Sequence, residues 1–330
     1  MIRTSTIVGI DENGFGPVLG PLVATATWFD FRSDYEPSLL WDSLSGVVSR
    51  SRADYPDRLP VSDSKKVFSA GQRGLQMLEE ISTAFGAVVW PGRSSPDRDR
   101  LLSELTLYPK FCYESTRHTF CSPAGGSGQT AATGLARFER TDQLKHRLET
   151  GPALLKGLKT AVMCPGEFNR LSARHGSKFY VNWVQFERLI EWVLRTTDAV
   201  DLHFVCGKIG SQRQYGEYLR RGSLGRFAVT AEENTAACST YRLESDERSL
   251  TVSFVRDADS DHFPVALASL VGKYVREVHT SHQNSFFRGF RRDLTDASGY
   301  REKLTYAFIK DTAPTRAELG IPDRCFLRDR

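Results

Sequence analysis

Residues 9–23 read GIDENGFGPVLGPLV, and this stretch places two adjacent acids at the end of an apolar run. The preceding residues 4–10 are rich in β-branched side chains, which favour a strand. Three glycines and two prolines follow the acids within ten residues, as is typical of a tight turn. Asp11 and Glu12 therefore end a predicted strand, and two interpretations stay open: a solvated turn or a pair of metal ligands.

The composition of the chain is that of a globular protein with a mildly basic balance. Its 330 residues are 40% hydrophobic and 25% charged, and the formal net charge of +4 permits a polyanionic partner. The six cysteines form no C-x-x-C pair, which argues against a zinc site or a disulfide framework. The apolar run in the first residues is too short for a signal peptide, and no apolar run is long enough to span a membrane, so we expect neither feature. We expect a cytoplasmic monomer.

Strands and helices alternate along the predicted chain, which indicates an α/β fold with a mixed sheet flanked by helices. Apolar runs and alternation predict strands over residues 4–11, 21–31, 83–92, 200–210 and 249–261. Helical spacing of apolar residues predicts helices around 75–81, over 182–195 and over 263–278.

Acidic residues lie near predicted strand ends or tight turns in three places. They are the pair Asp11 and Glu12, Asp63 in SDSKK, and the acids 257, 259 and 261 in RDADSD. Mg²⁺ prefers carboxylate oxygens, and two such ions promote phosphodiester hydrolysis. A shared metal site is therefore possible, although each cluster alone is also typical of a solvated turn.

Four blocks, in order, resemble the type 2 ribonucleases H. GIDENGFGPVLGPLV is similar to that family's opening Asp-Glu-x-Gly-Arg-Gly-Pro-x-x-Gly-Pro, and DSKK at 63–66 is similar to its Asp-Ser-Lys-Lys. ADSDHFPVALASLVGKYVRE at 258–277 resembles the late motif of the family. SGYREKLTYAF at 298–308 and APTRAELGIPDRCF at 313–326 resemble its closing segment.

The resemblance implies a ribonuclease-H-like sheet carrying a carboxylate site for two Mg²⁺ or Mn²⁺ ions. It implies endonucleolytic hydrolysis of RNA in RNA–DNA hybrids or of ribonucleotides embedded in DNA, giving 5′-phosphate and 3′-hydroxyl ends. The implied catalytic and metal-binding acids are Asp11, Glu12 and Asp259, with Asp257 and Asp261 as alternatives to the last. The implied substrate-binding residues are Gly14, Phe15, Gly16, Lys65, Lys66, Lys273 and Tyr300.

Two positions depart from the family pattern. Cys206 stands where the family has a third aspartate, and a thiol suits Mg²⁺ poorly. Asp201, Asp257 or Asp261 could substitute, although Asp201 is predicted to face the opposite side of its strand. Phe15 replaces the arginine between the two glycines, which removes a phosphate contact and leaves packing or base stacking as its role.

The resemblance also predicts the organisation of the chain. Residues 1–94 and 166–280 would form the catalytic core, 95–165 an insertion of unknown role, and 281–330 a C-terminal helical segment that contacts substrate. A second insertion is expected near 220–248. The primary hypothesis is a metal-dependent endoribonuclease. The alternatives are an impaired paralogue that binds hybrid or structured nucleic acid, which Cys206 and Phe15 would explain, and a different metal-dependent nuclease on this fold.

Overall fold

The computed structural model describes residues 4–32, 37–91, 98–107, 119–121 and 135–329, in which strands and helices alternate. The strands are β1 Thr4–Asn13, β2 Leu22–Arg32, β3 Val48–Ser49, β4 Leu59–Pro60, β5 Ala153–Met163, β6 Asp201–Gly207, β7 Ala228–Asn234, β8 Cys238–Glu244 and β9 Ser249–Val255. The helices are α1 Leu40–Ser43, α2 Ser64–Val67, α3 Gln72–Val89, α4 Arg98–Leu105, α5 Leu135–Thr150, α6 Pro165–His175, α7 Lys178–Thr196, α8 Gly216–Arg221, α9 Ala258–Asp261, α10 Phe263–Phe290, α11 Lys303–Asp311, α12 Ala313–Glu318 and α13 Asp323–Phe326. None of the helices within the described ranges is both long and apolar enough to cross a membrane.

Seven strands form the central sheet, in the order β5-β2-β1-β6-β9-β8-β7. β2 runs antiparallel to both β1 and β5, whereas β6 lies between β1 and β9 and is parallel to both. β8 and β7 continue the sheet in antiparallel pairs. Because β1, β6 and β9 run in the same direction, their carboxyl ends meet at one edge of the sheet.

Helices cover both faces of this sheet. α3 and α10 share an apolar cluster with residues of one face, including Ile7 of β1. α7 belongs to the cluster on the other face, which includes Ile10. α10 lies so close to β1 that a Cβ at Gly9 would be 2.2 Å from the carbonyl carbon of Pro264, a contact that only glycine avoids. The start of α10 is thereby held against the centre of the sheet.

The predicted fold class is confirmed. The chain forms a mixed sheet flanked by helices, and α11 to α13 make up a C-terminal helical segment. The predicted strands over 4–11, 21–31, 200–210 and 249–261 correspond to β1, β2, β6 and β9, and the predicted helices over 182–195 and 263–278 to α7 and α10.

The strand predicted over residues 83–92 is wrong, because α3 continues to Val89. Leu78, Ile81 and Phe85 are fully buried at helical spacing, so one apolar stripe extends along the helix. The β-branched pair at residues 88–89 favours a strand locally, but the packing of the stripe against α10 overrides that preference.

The expected insertion over 95–165 contains β5, which is a strand of the central sheet. β5 pairs antiparallel with β2, from Ala153 opposite Phe31 to Met163 opposite Leu22. Lys156, Gly157 and Lys159 interrupt its apolar pattern, which conceals the strand in the sequence. Residues 122–134, most of the predicted small-residue loop, lie outside the described residues.

The second expected insertion, near 220–248, forms a hairpin. Its strands β7 and β8 pair antiparallel, and β8 also pairs with β9. The hairpin thus extends the sheet on the side of β9, and its turn reaches the edge at which β6 and β9 end.

Candidate active site

A cleft of about 670 Å³ opens at the carboxyl edge of β1, β6 and β9. Residues as distant in the sequence as Asp11 and Asp259 meet there, because three separate strands end at this edge. Its lining includes all but one of the predicted site residues: Asp11, Glu12, Gly14, Phe15, Gly16, Lys65, Asp259, Lys273 and Tyr300. Lys66 is exposed on α2 and does not line the cleft.

Asp11 lies partly buried at the end of β1 and faces α10. Burial raises the pKa of its carboxyl well above the ordinary value, and the charges of Glu12 and Asp259 raise it further. A hydrogen bond with the Ser269 side chain, from α10, acts in the opposite direction on that pKa. A Cβ at Gly207 would lie 2.5 Å from Asp11 Oδ1, so the position of Asp11 requires glycine on the neighbouring strand.

Glu12 points to the other face of the sheet, as the next residue of a strand must. Asn182 of α7 donates a hydrogen bond from Nδ2 to Glu12 Oε2 at 2.8 Å. Burial raises the pKa of Glu12, while Asn182 and the charge of Lys65 lower it. The following residue, Asn13, donates from Nδ2 to the Ser269 carbonyl at 3.0 Å, which ties the strand end to α10.

Asp259 lies in α9, the short helix that comes after β9, and Asp63 is beside it. Burial raises the pKa of Asp259 to about 6, and the charge of Asp63 and a hydrogen bond with it contribute, while Lys65 lowers it. Asp63 caps α2, where its Oδ1 accepts from the Lys65 backbone N–H at 2.8 Å. Asp63, the second acidic position identified in the sequence, therefore lies beside Asp259.

The two alternatives to Asp259 separate in the structure. Asp257 lines the cleft in a left-handed conformation, with φ of 52°. Asp261 is exposed and lies outside the lining.

Cys206 is fully buried and does not line the cleft. It pairs with Ile10 of β1 and Phe254 of β9, in the apolar cluster beneath α7. Burial raises the pKa of its thiol far above the ordinary range, and the charge of Asp11 adds to the effect. The next residue, Gly207, is the one beside Asp11. Asp201 lies at the start of β6, exposed beside His203, and does not substitute for an acid in the cleft.

The turn after β1 is supported by the far end of the chain. Gly14 has φ of +91°, and its carbonyl accepts a hydrogen bond from Arg328, which is buried. Burial lowers the pKa of Arg328 to about 9, and the charge of Arg276 contributes. Phe15 packs against an apolar cluster that includes Phe168. A guanidinium therefore lies beneath this turn, and no local sequence pattern indicates it.

The cationic and aromatic residues near the acids have defined neighbours. Lys273 Nζ lies 2.7 Å from Glu277 Oε1 and 4.4 Å from the centre of the Phe68 ring. The Tyr300 ring is partly exposed in the cleft, with the Arg276 guanidinium carbon 4.9 Å from its centre. A lysine and an aromatic ring thus line the cleft from the side of α10 and the C-terminal segment.

The basic aromatic stretch FFRGFRR at 286–292 does not line the cleft. Phe287 packs with Phe308 and Phe326, and Arg291 pairs with Asp293. These contacts give this stretch a structural role.

A comparison with solved structures relates the chain to known proteins. The chain is similar in fold to solved ribonucleases HII and HIII. Bst ribonuclease HIII in complex with Mn²⁺ is 12% identical, with 99% of this chain and 67% of that chain covered and a TM-score of 0.47. Ribonuclease HII from Archaeoglobus fulgidus, in a PCNA complex, is 14% identical, with 98% and 94% covered and a TM-score of 0.39. Ribonuclease H2 from Pyrococcus horikoshii OT3 is 13% identical, with 97% and 92% covered and a TM-score of 0.37.

No protein-family model and no curated protein sequence matches the chain. Identities and scores as low as those of the solved structures carry no statement about activity. What the chain does must be argued from its own cleft.

The donor chemistry of the cleft fits a hard divalent cation, since its acids are carboxylates that lie close together and burial raises the pKa of each of the three proposed ligands. Within the described ranges, no three His, Cys, Asp or Glu side chains are already arranged to hold a metal ion. Mg²⁺ is commonly bound through one or two carboxylates, water and substrate phosphates. The carboxylates therefore suit a site that substrate would complete.

Proposed function

We propose that the chain is a divalent-metal-dependent endoribonuclease that hydrolyses RNA in RNA–DNA hybrids or ribonucleotides embedded in DNA. Its products would carry 5′-phosphate and 3′-hydroxyl ends. The observation that carries the proposal is the convergence of Asp11, Glu12 and Asp259 in one cleft at the carboxyl edge of the sheet. Burial raises the pKa of each of these acids, and a bound cation would favour their charged forms.

In this proposal Asp11, Glu12 and Asp259 hold Mg²⁺ or Mn²⁺, and Asp63 is a further carboxylate beside Asp259. Bound ions of this kind supply a nucleophilic water at neutral pH and offset the charge on the leaving oxygen. Asn182 keeps Glu12 in place through its hydrogen bond, and Ser269 forms a hydrogen bond with Asp11.

Substrate selection would depend on the turn formed by Gly14, Phe15 and Gly16. A Cβ at Gly16 would meet no atom within 4 Å, so the space above this backbone is open to a sugar. The 2′-hydroxyl distinguishes RNA from DNA, and backbone groups can contact it without an arginine side chain. Tyr300 would stack on a sugar or base.

Phosphate groups near the acids would be contacted by Lys65 and Lys273, which line the cleft. Lys66 would contact the strand outside the cleft, since it is exposed on α2. Such contacts position the backbone and carry no sequence preference.

The test is cleavage of three matched duplexes: an RNA–DNA hybrid, DNA with one ribonucleotide, and DNA alone. With Mg²⁺ or Mn²⁺, the wild-type protein should cut the first two, leave the third intact and require the metal. The product ends are read by their mobility and by labelling with a kinase, which needs a free 5′-hydroxyl. Absence of cleavage with hybrid binding retained would remove the proposal and favour the binding paralogue.

A further inference from the structure

Three cations line the cleft on the side of the β7–β8 hairpin. Lys208 directly follows β6, Arg256 directly follows β9, and Arg213 lies in the loop after β6. Because β6 and β9 are parallel neighbours, the first two side chains emerge together at the edge where Asp11 lies. The hairpin lies outside the sequence blocks that resemble the ribonucleases H.

The turn of the hairpin holds two of these cations side by side. The Ala236 carbonyl accepts from Lys208 Nζ at 3.1 Å and from Arg256 Nη2 at 2.8 Å. The backbone adds two bonds, from Arg256 N to the Ala237 carbonyl at 2.8 Å and from Lys208 N to the Val255 carbonyl at 3.0 Å. A carbonyl orients the cations but leaves their charge in place.

No carboxylate within the described residues forms an ion pair with Lys208, Arg213 or Arg256. The surface nearby is exposed, including Ala236 and both arginines. Burial lowers the pKa of Lys208, as do the charges of Arg256 and Arg213, which is the expected direction where cations crowd together. Such a cluster is stabilised by an anion that spans it.

We propose that Lys208, Arg213 and Arg256 bind successive backbone phosphates of the nucleic acid strand that enters the cleft. The strand would then extend from Tyr300 and Lys273 on one side of the acids to the hairpin on the other. A polymer backbone suits the cluster because its three cations are carried by separate segments along one edge. This inference rests on the proposed function, whose substrate it places.

The test is equilibrium binding of a labelled RNA–DNA hybrid without divalent cations. Fluorescence anisotropy measures the binding constant K at several NaCl concentrations. The variant is Lys208→Gln with Arg213→Gln and Arg256→Gln. The matched control has the same charge change at Lys145→Gln, Arg195→Gln and Arg221→Gln, which pair with glutamates and lie outside the cleft. Thermal unfolding checks that both variants remain folded.

We expect the slope of log K against log[NaCl] to become shallower by about 1 for each lost contact, and by about 2 to 3 in the triple variant. The control should keep the wild-type slope. A triple variant that matches the control would overturn the inference while leaving the proposed function intact. A wild-type protein that binds no nucleic acid would instead remove both. Inorganic phosphate and chloride are also compared at matched ionic strength. If phosphate displaces the hybrid more than chloride does, the cluster is a site for free phosphate, which contradicts a polymer site.

Discussion

Two adjacent positions on β6 explain how the cleft accommodates Asp11. Cys206 pairs with Ile10 and faces the apolar cluster, whereas Gly207 lies beside Asp11. A side chain at the second position would occupy space that the Asp11 carboxylate now fills. The glycine is therefore as necessary to the site as the acid it accommodates.

Gly207→Ala should displace Asp11, because the new Cβ would lie 2.5 Å from Oδ1. Small displacements of reacting groups are costly, so we expect cleavage of a ribonucleotide-containing duplex to slow roughly 10- to 100-fold. Overpacking should also lower the free energy of unfolding by about 1–3 kcal/mol. Gly289→Ala, where a Cβ meets nothing within 4 Å, is the control for the cleavage rate. Equal activity in the two variants would contradict this role of Gly207.

At the scale of elements, α10 both carries Ser269 to the site and connects to α3 through a buried polar contact. Tyr274 Oη donates to Glu79 Oε1 at 3.1 Å, and Arg98 Nε lies 3.0 Å from the same oxygen. Burial raises the pKa of the Tyr274 phenol far above its ordinary value, and the charge of Glu79 raises it further. This contact holds the helix that supports the cleft.

Tyr274→Phe should lower the free energy of unfolding by roughly 1–2 kcal/mol, because it removes one buried hydrogen bond to a charged group. Urea unfolding measures the change. Tyr306→Phe alters an exposed tyrosine on α11 and should have little effect. If the two variants unfold at the same urea concentration, the contact between α3 and α10 does not stabilise the protein.

The sequence predicts most of these elements, because strong apolar periodicity determines them locally. It misplaces α3, whose final residues have strand-like side chains, and it misses β5, whose lysines interrupt the pattern. Asp11, Glu12 and Asp259 come together as the motif order predicts. Arg328 and Gly207 act through contacts between distant segments, which no local pattern encodes.

At the scale of the whole molecule, α10 also packs against the segment at residues 119–121. The pH dependence of the free energy of unfolding should depend on that packing. His279 is buried on α10; burial and the charge of His282 lower its pKa to about 4, while a backbone contact with Cys121 acts in the opposite direction. As the pH falls, His279 therefore gains a proton near pH 6.5 in the unfolded chain but only near pH 4 in the folded protein.

Because the unfolded state binds more protons between these values, His279 should make stability fall as the pH drops through this range. We expect the wild-type protein to lose about 3 kcal/mol more than His279→Gln between pH 6.5 and 4. Unfolding by urea at several pH values measures the difference. His203→Gln, on an exposed histidine of β6, should keep the wild-type pH dependence. Parallel curves for wild type and His279→Gln would contradict a buried neutral histidine.

The central claim is that the acids of the cleft perform metal-dependent cleavage of RNA. Its most direct test is single-turnover cleavage of a duplex carrying one ribonucleotide, with Mn²⁺ or Mg²⁺, by Asp11→Asn beside the control Asp201→Asn. Asp201 is an exposed acid on β6 outside the cleft, so its variant should cut at the wild-type rate. We predict that Asp11→Asn slows cleavage by about 100- to 1000-fold, the effect typical of removing a group that stabilises charge in the transition state. Cleavage by Asp11→Asn at the rate of the control would contradict the account.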